Sequence, residues 1–211
     1  MLNKKLVCFD LDDTLIRKIH SVMYLSILNN RYSEIIEIEK REETGELNWI
    51  EADYYKAKLA SGLALEKVFQ EFTYILKPLS NISKAIERLH NAGFKCIVIT
   101  AGPRQVAHAA CNIWGLDGYY GSDYEVIHEK FTGKIINHIG DKGKIFCLKE
   151  YCKKNDLISD DCIAVGDGFS DIPLFEYCGT SIAINYSDVT IDKATHYIKT
   201  DDLTDILKFI I

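Results

Sequence analysis

Leu6-Val7-Cys8-Phe9-Asp10-Leu11-Asp12-Asp13-Thr14 is the stretch that decides the fold. It opens with a short, uninterrupted apolar run and closes with three acidic residues. Short apolar runs of this kind predict strands that are buried on both faces, as they are in parallel sheets. Because ligands bind beyond the carboxyl ends of such strands in open α/β folds, we expect Asp10 and Asp12 at a ligand site.

Further apolar runs predict three more strands of the same sheet, at residues 94–100, 162–165 and 181–184. Apolar residues with helical spacing predict helices at residues 80–91, 144–154 and 202–211. A hairpin turn is expected at residues 129–134. Strands that alternate with helices favour an α/β fold with a doubly wound parallel sheet.

Residues 16–76 interrupt this alternation. Their apolar residues recur with helical spacing, and no convincing strand is visible among them. Asn48 and Glu51 have the spacing of a capping box, which marks the start of a helix. We therefore expect a helical cap domain at residues 16–76, inserted into a catalytic core that comprises residues 1–15 and 77–211.

The composition limits the possible partners. The 211 residues carry a net charge of −6, so no basic face is expected for a nucleic-acid backbone. The seven cysteines are odd in number and show no Cys-x-x-Cys pair, which favours free thiols in a reducing compartment. No leader and no apolar run of about 20 residues is visible. We expect a cytoplasmic protein, a monomer or homodimer, that binds neither nucleic acid nor membrane.

Two acidic motifs are expected to converge at the edge of the sheet. Asp10 and Asp12 are two residues apart on an extended chain, so their side chains share a face. Gly166-Asp167-Gly168-Phe169-Ser170-Asp171 follows another predicted strand in the same way. Carboxylates brought together repel each other unless a cation lies between them, and Mg²⁺ prefers such oxygen ligands. A metal site is the favoured interpretation, although these residues also suit turns and, for Asp171, a helix cap.

The motifs together resemble the haloacid-dehalogenase superfamily, and within it the phosphoserine phosphatase-like branch. The resemblance rests on four motifs, which are Asp10-Leu11-Asp12-Asp13-Thr14, Thr100, Lys142 in Gly140-Asp141-Lys142-Gly143, and Gly166-Asp167-Gly168 with Asp171. They occur in the family's order and extend over nearly the whole chain. The resemblance implies a Mg²⁺-dependent phosphatase that hydrolyses a small phosphorylated metabolite.

The resemblance also implies a role for each acidic residue. Asp10 would be the nucleophile and would form an aspartyl-phosphate intermediate. Asp12 would protonate the leaving oxygen and then activate the water that hydrolyses the intermediate. The side chains of Asp10 and Asp167 and the backbone carbonyl of Asp12 would hold Mg²⁺. Asp171 would act behind these ligands or through water.

The remaining roles concern the phosphoryl group. Thr100, with the backbone amides of Ala101 and Gly102, would bind the phosphate oxygens. Lys142 would balance the charge of the nucleophile and the phosphoryl group, because Lys-Gly-x-Ile matches the family's pattern. Lys144 is the rival candidate for this role.

The chain departs from the branch where the substrate binds. Phosphoserine phosphatases have a Glu soon after the first motif to bind the ammonium, and this chain has Arg17-Lys18-Ile19-His20 there. Their cap also provides an Arg for the carboxylate, and the matching position is Tyr54. Arg17, Lys18 or Lys56 could take its place. These departures argue against phosphoserine itself as the substrate.

Other functions remain open. The same residues would serve a phosphotransferase that uses a small alcohol in place of water, and a non-catalytic protein of this fold could bind phosphate. A signalling receiver domain is also doubly wound and carries an Asp that becomes phosphorylated. In receivers that Asp does not follow the first strand of the chain, and no cap is inserted. Asp10 follows the first predicted strand, so its position argues against this class.

Overall fold

The computed structural model describes residues 5–211, apart from the side chains of Asp141 and Lys142. Its strands are β1 (Lys5–Phe9), β2 (Ile16–Arg17), β3 (Lys77–Pro78), β4 (Phe94–Pro103), β5 (Gly118–Ile127), β6 (Lys130–Asn137), β7 (Cys162–Gly166), β8 (Thr180–Ile184) and β9 (His196–Ile198). Its α-helices are α1 (Ser21–Leu28), α2 (Tyr32–Glu43), α3 (Trp49–Leu59), α4 (Leu65–Gln70), α5 (Phe72–Ile75), α6 (Ile82–Asn91), α7 (Arg104–Trp114), α8 (Gly140–Asn155) and α9 (Ile172–Tyr177).

Seven strands form one sheet, in the order β6-β5-β4-β1-β7-β8-β9. All neighbouring pairs are parallel except the hairpin of β5 and β6. β1 lies at the centre, paired with β4 on one side and with β7 on the other. The four predicted strands correspond to β1, β4, β7 and β8. The predicted parallel α/β fold is therefore confirmed.

Both faces of the sheet are covered, because successive residues of a strand point to opposite sides. Val7 and Phe9 of β1 belong to one apolar cluster, which includes residues of α6 and α7. Leu6 and Cys8 belong to a second cluster, which includes residues of α8 and α9. Burial on both faces explains why β1 reads as an unbroken apolar run.

The helices α1 to α5 lie between β2 and β3, so the helical character predicted for this part of the chain is confirmed. Asn48 caps α3, and its side chain and that of Glu51 form the predicted capping box. β2 and β3 pair antiparallel, Ile16 with Pro78, so the two ends of the segment lie side by side. Whether the segment forms a domain separate from the core stays a prediction.

Some details differ from the sequence-based expectations. The hairpin turns at His128 and Glu129, both with positive φ, and residues 131–134 already belong to β6. The C-terminal helix is a 3-10 helix, Leu203–Phe209. None of the helices in residues 5–211 is long and apolar enough to cross a membrane.

Candidate active site

The site lies at the carboxyl ends of the three central strands. Asp10 directly follows β1, Thr100 lies near the end of β4, and Asp167 directly follows β7. The backbone amide of Asp10 donates to the carbonyl of Val165 at 2.8 Å, which joins the ends of β1 and β7. The sheet order therefore brings together residues that are far apart in the sequence.

Asp10 is buried against a lysine. Lys144 Nζ donates to Asp10 Oδ1 at 2.7 Å and to Asp171 Oδ1 at 2.8 Å, and Lys144 itself is 1% exposed. Burial, and next the charge of Asp171, raise the pKa of Asp10, while Lys144 opposes this shift. Burial would lower the pKa of Lys144, but Asp10 and Asp171 outweigh it and the net shift is upward. Lys144 is thus a fixed cation beside the predicted nucleophile.

The prediction for Lys142 lies outside the described residues, since the placement of its side chain is not described. Both lysines belong to α8, where residues i and i+2 do not face the same way. Lys144 donates to Asp10. Whether Lys142 or Lys144 balances the charge of the phosphoryl group stays a prediction.

Asp171 is held from two sides. Its Oδ2 accepts the backbone amides of Asp167 and Gly168, at 3.0 and 3.1 Å, and its Oδ1 accepts Lys144. A Cβ atom on Gly166 would come within 2.7 Å of the Asp171 Cβ, so the side chain fits only because residue 166 is glycine. Asp171 is therefore placed to orient its neighbours.

Asp167 completes the acidic group. Its Oδ1 accepts a hydrogen bond from Thr14 Oγ1 at 2.9 Å. Burial, followed by the charge of Asp171, raises its pKa to about 7. Carboxyl oxygens of Asp10, Asp167 and Asp171 all lie within 4.8 Å of one another. Buried carboxylates that raise one another's pKa suit a divalent cation, whose charge would favour their ionised forms. The donor set thus fits a hard metal ion.

Asp12 takes no part in that acidic group and faces α1. Its Oδ1 accepts the backbone amide of Ser21 at 2.5 Å, and its Oδ2 accepts Ser21 Oγ at 2.6 Å. Thr100 Oγ1 donates to the same Oδ2 at 3.3 Å. Sequence reasoning missed Ser21, although a serine at the start of a helix is a signal for an exposed amide and hydroxyl.

The stretch predicted to bind phosphate lies next to Asp12. The amide of Gly102 donates to Thr100 Oγ1 at 3.0 Å, so these two groups satisfy each other. A Cβ atom on Gly102 would collide with Ser21 Oγ. Thr100 and Ala101 line a cavity of about 190 Å³ together with Asp10 and Lys144. Phosphate binding by this stretch stays a prediction.

A second cavity, of about 320 Å³, adjoins the first and shares Asp12, Ala101 and Ser170 with it. Its outer wall comes from the helical segment and includes Trp49 and Lys56. We call it the outer cavity. It gives a small molecule room beside Asp12.

The charged residues of the outer cavity are largely paired. Lys56 Nζ donates to Glu42 Oε2 at 2.7 Å. A hydrogen bond of 2.9 Å joins His20 Nε2 to Asp13 Oδ2, and it is the main cause that raises the pKa of His20 to about 9. Of the cations proposed to replace the family's arginine, Lys56 lines this cavity, whereas Arg17 and Lys18 line a different one.

The comparisons with known proteins agree with this geometry. The family model of haloacid dehalogenase-like hydrolases matches residues 7–176. The chain is 29% identical to the phosphoserine phosphatase of Methanocaldococcus jannaschii, over 98% of each chain. It is 27% identical to that of Archaeoglobus fulgidus, over 95% of its own length but only 58% of the relative's. A solved structure described as a phospho-aspartyl intermediate analogue of phosphoserine phosphatase superposes with a TM-score of 0.83 and 27% identity, over 99% of this chain and 100% of the other.

Proposed function

This chain belongs to the haloacid dehalogenase-like hydrolases, and we propose that it is a Mg²⁺-dependent phosphatase of small phosphomonoesters. The observation that carries the proposal is the position of Asp10. It is a buried carboxylate at the end of the central strand, held by a buried lysine, with a second carboxylate two residues further along the chain.

Asp10 is proposed as the nucleophile. Lys144 fixes one of its oxygens, and the other accepts no hydrogen bond within the described residues. That free oxygen would attack phosphorus, forming an oxygen–phosphorus bond to Asp10 as the bond to the leaving oxygen breaks. The charge of Lys144 lies close to the site where negative charge develops, and such fixed charges lower the barrier. A relative whose description names a phospho-aspartyl analogue supports this step.

Asp12 is proposed as the acid and then the base. Ser21 and Thr100 hold its carboxyl group, so its proton would pass in a defined direction to the leaving oxygen. The ionised Asp12 would next take a proton from water, which attacks the phosphorus and releases phosphate from Asp10. One group thereby serves both half-reactions and returns to its starting form.

The metal is proposed to be Mg²⁺, held by the carboxylates of Asp10 and Asp167 and the backbone carbonyl of Asp12. When bound, it would neutralise these carboxylates and polarise the phosphoryl oxygens. Asp171 accepts two backbone amides and Lys144, so we propose that it positions Lys144 and the turn carrying Asp167.

The cavities and the relatives support a small phosphate ester as the substrate class. Two adjoining cavities of about 190 and 320 Å³ suit a small phosphate ester. The relatives described above are named phosphoserine phosphatases. Their names therefore do not support our expectation that phosphoserine is not the substrate. Phosphoserine therefore belongs among the substrates to be tested. The cytoplasmic location and the monomeric or dimeric state stay predictions from the sequence.

The proposal is tested by phosphate release from p-nitrophenyl phosphate and from a panel of small phosphomonoesters, with Mg²⁺ present. Asp10→Asn keeps the size of the side chain but removes the attacking charge, so turnover should fall to background. Beryllium fluoride mimics a phosphoryl group on a carboxylate and should inhibit the wild type without binding Asp10→Asn.

Asp12→Asn supplies the matched comparison. It removes only the acid–base group, whose contribution is about 10²–10⁴-fold, so residual turnover should survive with the activated nitrophenol leaving group. If Asp10→Asn turned over any substrate of the panel like the wild type, covalent catalysis at Asp10 would be untenable.

A further inference from the structure

In the proposed mechanism, the outer cavity would receive the part of the substrate that leaves. It adjoins the smaller cavity, which contains Asp10, and Asp12 lines both. Since Asp12 is the proposed proton donor to the leaving oxygen, the alcohol portion of the ester must lie on its outer side. The side chains of the outer cavity therefore select the leaving group.

The carboxylates of the outer cavity outnumber its cations. Glu39 and Glu42 both face Lys56, but Lys56 Nζ is 2.7 Å from Glu42 and 4.0 Å from Glu39. The Glu39 carboxylate accepts no hydrogen bond from any residue in the described part of the chain. Burial raises the pKa of Glu39, and the opposing charges of Lys56 and His20 do not cancel that shift. Glu39 is a carboxylate with an incomplete set of partners.

The other charged groups of the cavity do not compensate Glu39. His20 is bonded to Asp13, so its positive charge is already matched. Asp53 lies 2.9 Å from His138 Nε2 and, like Glu39, adds a carboxylate to the lining. Among the residues that line the cavity, the four carboxylates of Asp12, Glu39, Glu42 and Asp53 outnumber the two basic groups of His20 and Lys56.

Aromatic side chains also line the outer cavity. Trp49 of α3 and Phe169, which is 59% exposed, line the cavity from opposite parts of the chain. Aromatic faces attract cations through their ring quadrupoles.

From this lining we infer that the leaving group is a cationic amine without a carboxylate, so that the protein prefers phosphate esters of amino alcohols. The inference rests on the proposed function. The ammonium would lie near Glu39 and be surrounded by the aromatic walls. A carboxylate on the same leaving group would meet Glu39 and Asp53, while Lys56 is engaged by Glu42 and only 10% exposed.

The test compares kcat/KM for three esters of similar size. O-phosphoethanolamine carries the cation alone, O-phosphoserine adds a carboxylate, and propyl phosphate is uncharged beyond its phosphate. We expect O-phosphoethanolamine to exceed each of the others by about ten- to a hundredfold, the range of one charge-assisted hydrogen bond. If O-phosphoserine or propyl phosphate equals or exceeds it, the inference is overturned.

Two variants on α2 test whether Glu39 recognises the ammonium group, because the intrinsic reactivity of the esters is the same in both variants. Glu39→Gln should reduce the ratio of O-phosphoethanolamine to propyl phosphate by about tenfold. Glu37→Gln makes the same change of charge on the same helix, where Glu37 is exposed and paired with Lys40, and should leave the ratio unchanged. An equal drop in both variants, or in neither, contradicts a role for Glu39.

p-Nitrophenyl phosphate serves as the reference substrate. Turnover of this compound with no preference among the three esters overturns the inference and leaves the proposed phosphatase intact. No turnover of any of the four compounds, with Mg²⁺ present, overturns both.

Discussion

Replacing Lys144 with methionine tests the contribution of the cation beside Asp10, the proposed nucleophile. The two side chains are similar in length, and the change removes ion pairs of 2.7 Å to Asp10 and 2.8 Å to Asp171. All three groups are buried, so two carboxylates would be left in the interior without their cation. Removing one partner of a buried ion pair costs about 3–5 kcal/mol. We expect a loss of this size in the free energy of unfolding of the metal-free protein.

The variant should also shift the pH dependence. Lys144 lowers the pKa of Asp10, so its loss raises that pKa further. A nucleophile that must be ionised then needs a higher pH, and the acidic limb of kcat/KM moves upward. A carboxyl whose pKa is higher in the folded state favours folding at low pH, and this contribution disappears as pH rises through the folded pKa. Lys144→Met should therefore be destabilised more at about pH 8 than at about pH 5.

Urea unfolding in the presence of chelator gives the stability, and phosphate release with Mg²⁺ gives the activity. We expect kcat to fall by about 10²-fold or more, as when one preorganised donor is removed from a transition state. Lys142→Met is the matched control, two residues away on the same helix. If Lys142→Met shows these losses and Lys144→Met does not, the helix phase on which our assignment depends is wrong.

Three further outcomes are expected. Ser21→Ala leaves Asp12 with one hydrogen bond fewer. This change should lower kcat about tenfold for alkyl phosphates but much less for p-nitrophenyl phosphate. An equal loss for both substrates would show that Ser21 does not act through the acid–base step. Gly166→Ala places a methyl group where it would displace Asp171. The variant should lose about 1–3 kcal/mol of unfolding free energy and should bind Mg²⁺ more weakly in calorimetry. Unchanged values would contradict the contact between residue 166 and Asp171. A chelator should abolish turnover and Mg²⁺ should restore it, whereas Ca²⁺ should restore little; full activity in excess chelator would refute the metal requirement.

The strands that build the site were predictable because their residues are buried on both faces. β1 and β7 read as apolar runs, and the acidic residues that follow them had to meet at one edge of the sheet. Asn48 and Glu51 marked a helix start through local hydrogen bonds. Each of these features depends on residues that are close together in the chain, so it can be recognised in the sequence alone.

Features that depend on the packing of distant elements were not predictable in the same way. The choice between Lys142 and Lys144 depends on the rotation of α8 about its axis, which tertiary contacts determine. Ser21 reaches Asp12 only because α1 begins next to the acidic stretch that follows β1. The short strands β2 and β3 have too few residues for a periodic pattern. Each of these features needs the assembled fold.

The antiparallel pair of β2 and β3 has a consequence for how such a protein can evolve. Because Ile16 lies beside Pro78, the helical segment begins and ends at the two-stranded pair of β2 and β3. A segment with adjacent ends can be lengthened or shortened without moving its two points of attachment. Glu39 and Trp49 belong to that segment, whereas Asp10 and Lys144 do not. Selection for a new metabolite can therefore act on one part of the gene while the residues proposed to act on the phosphate ester stay unchanged.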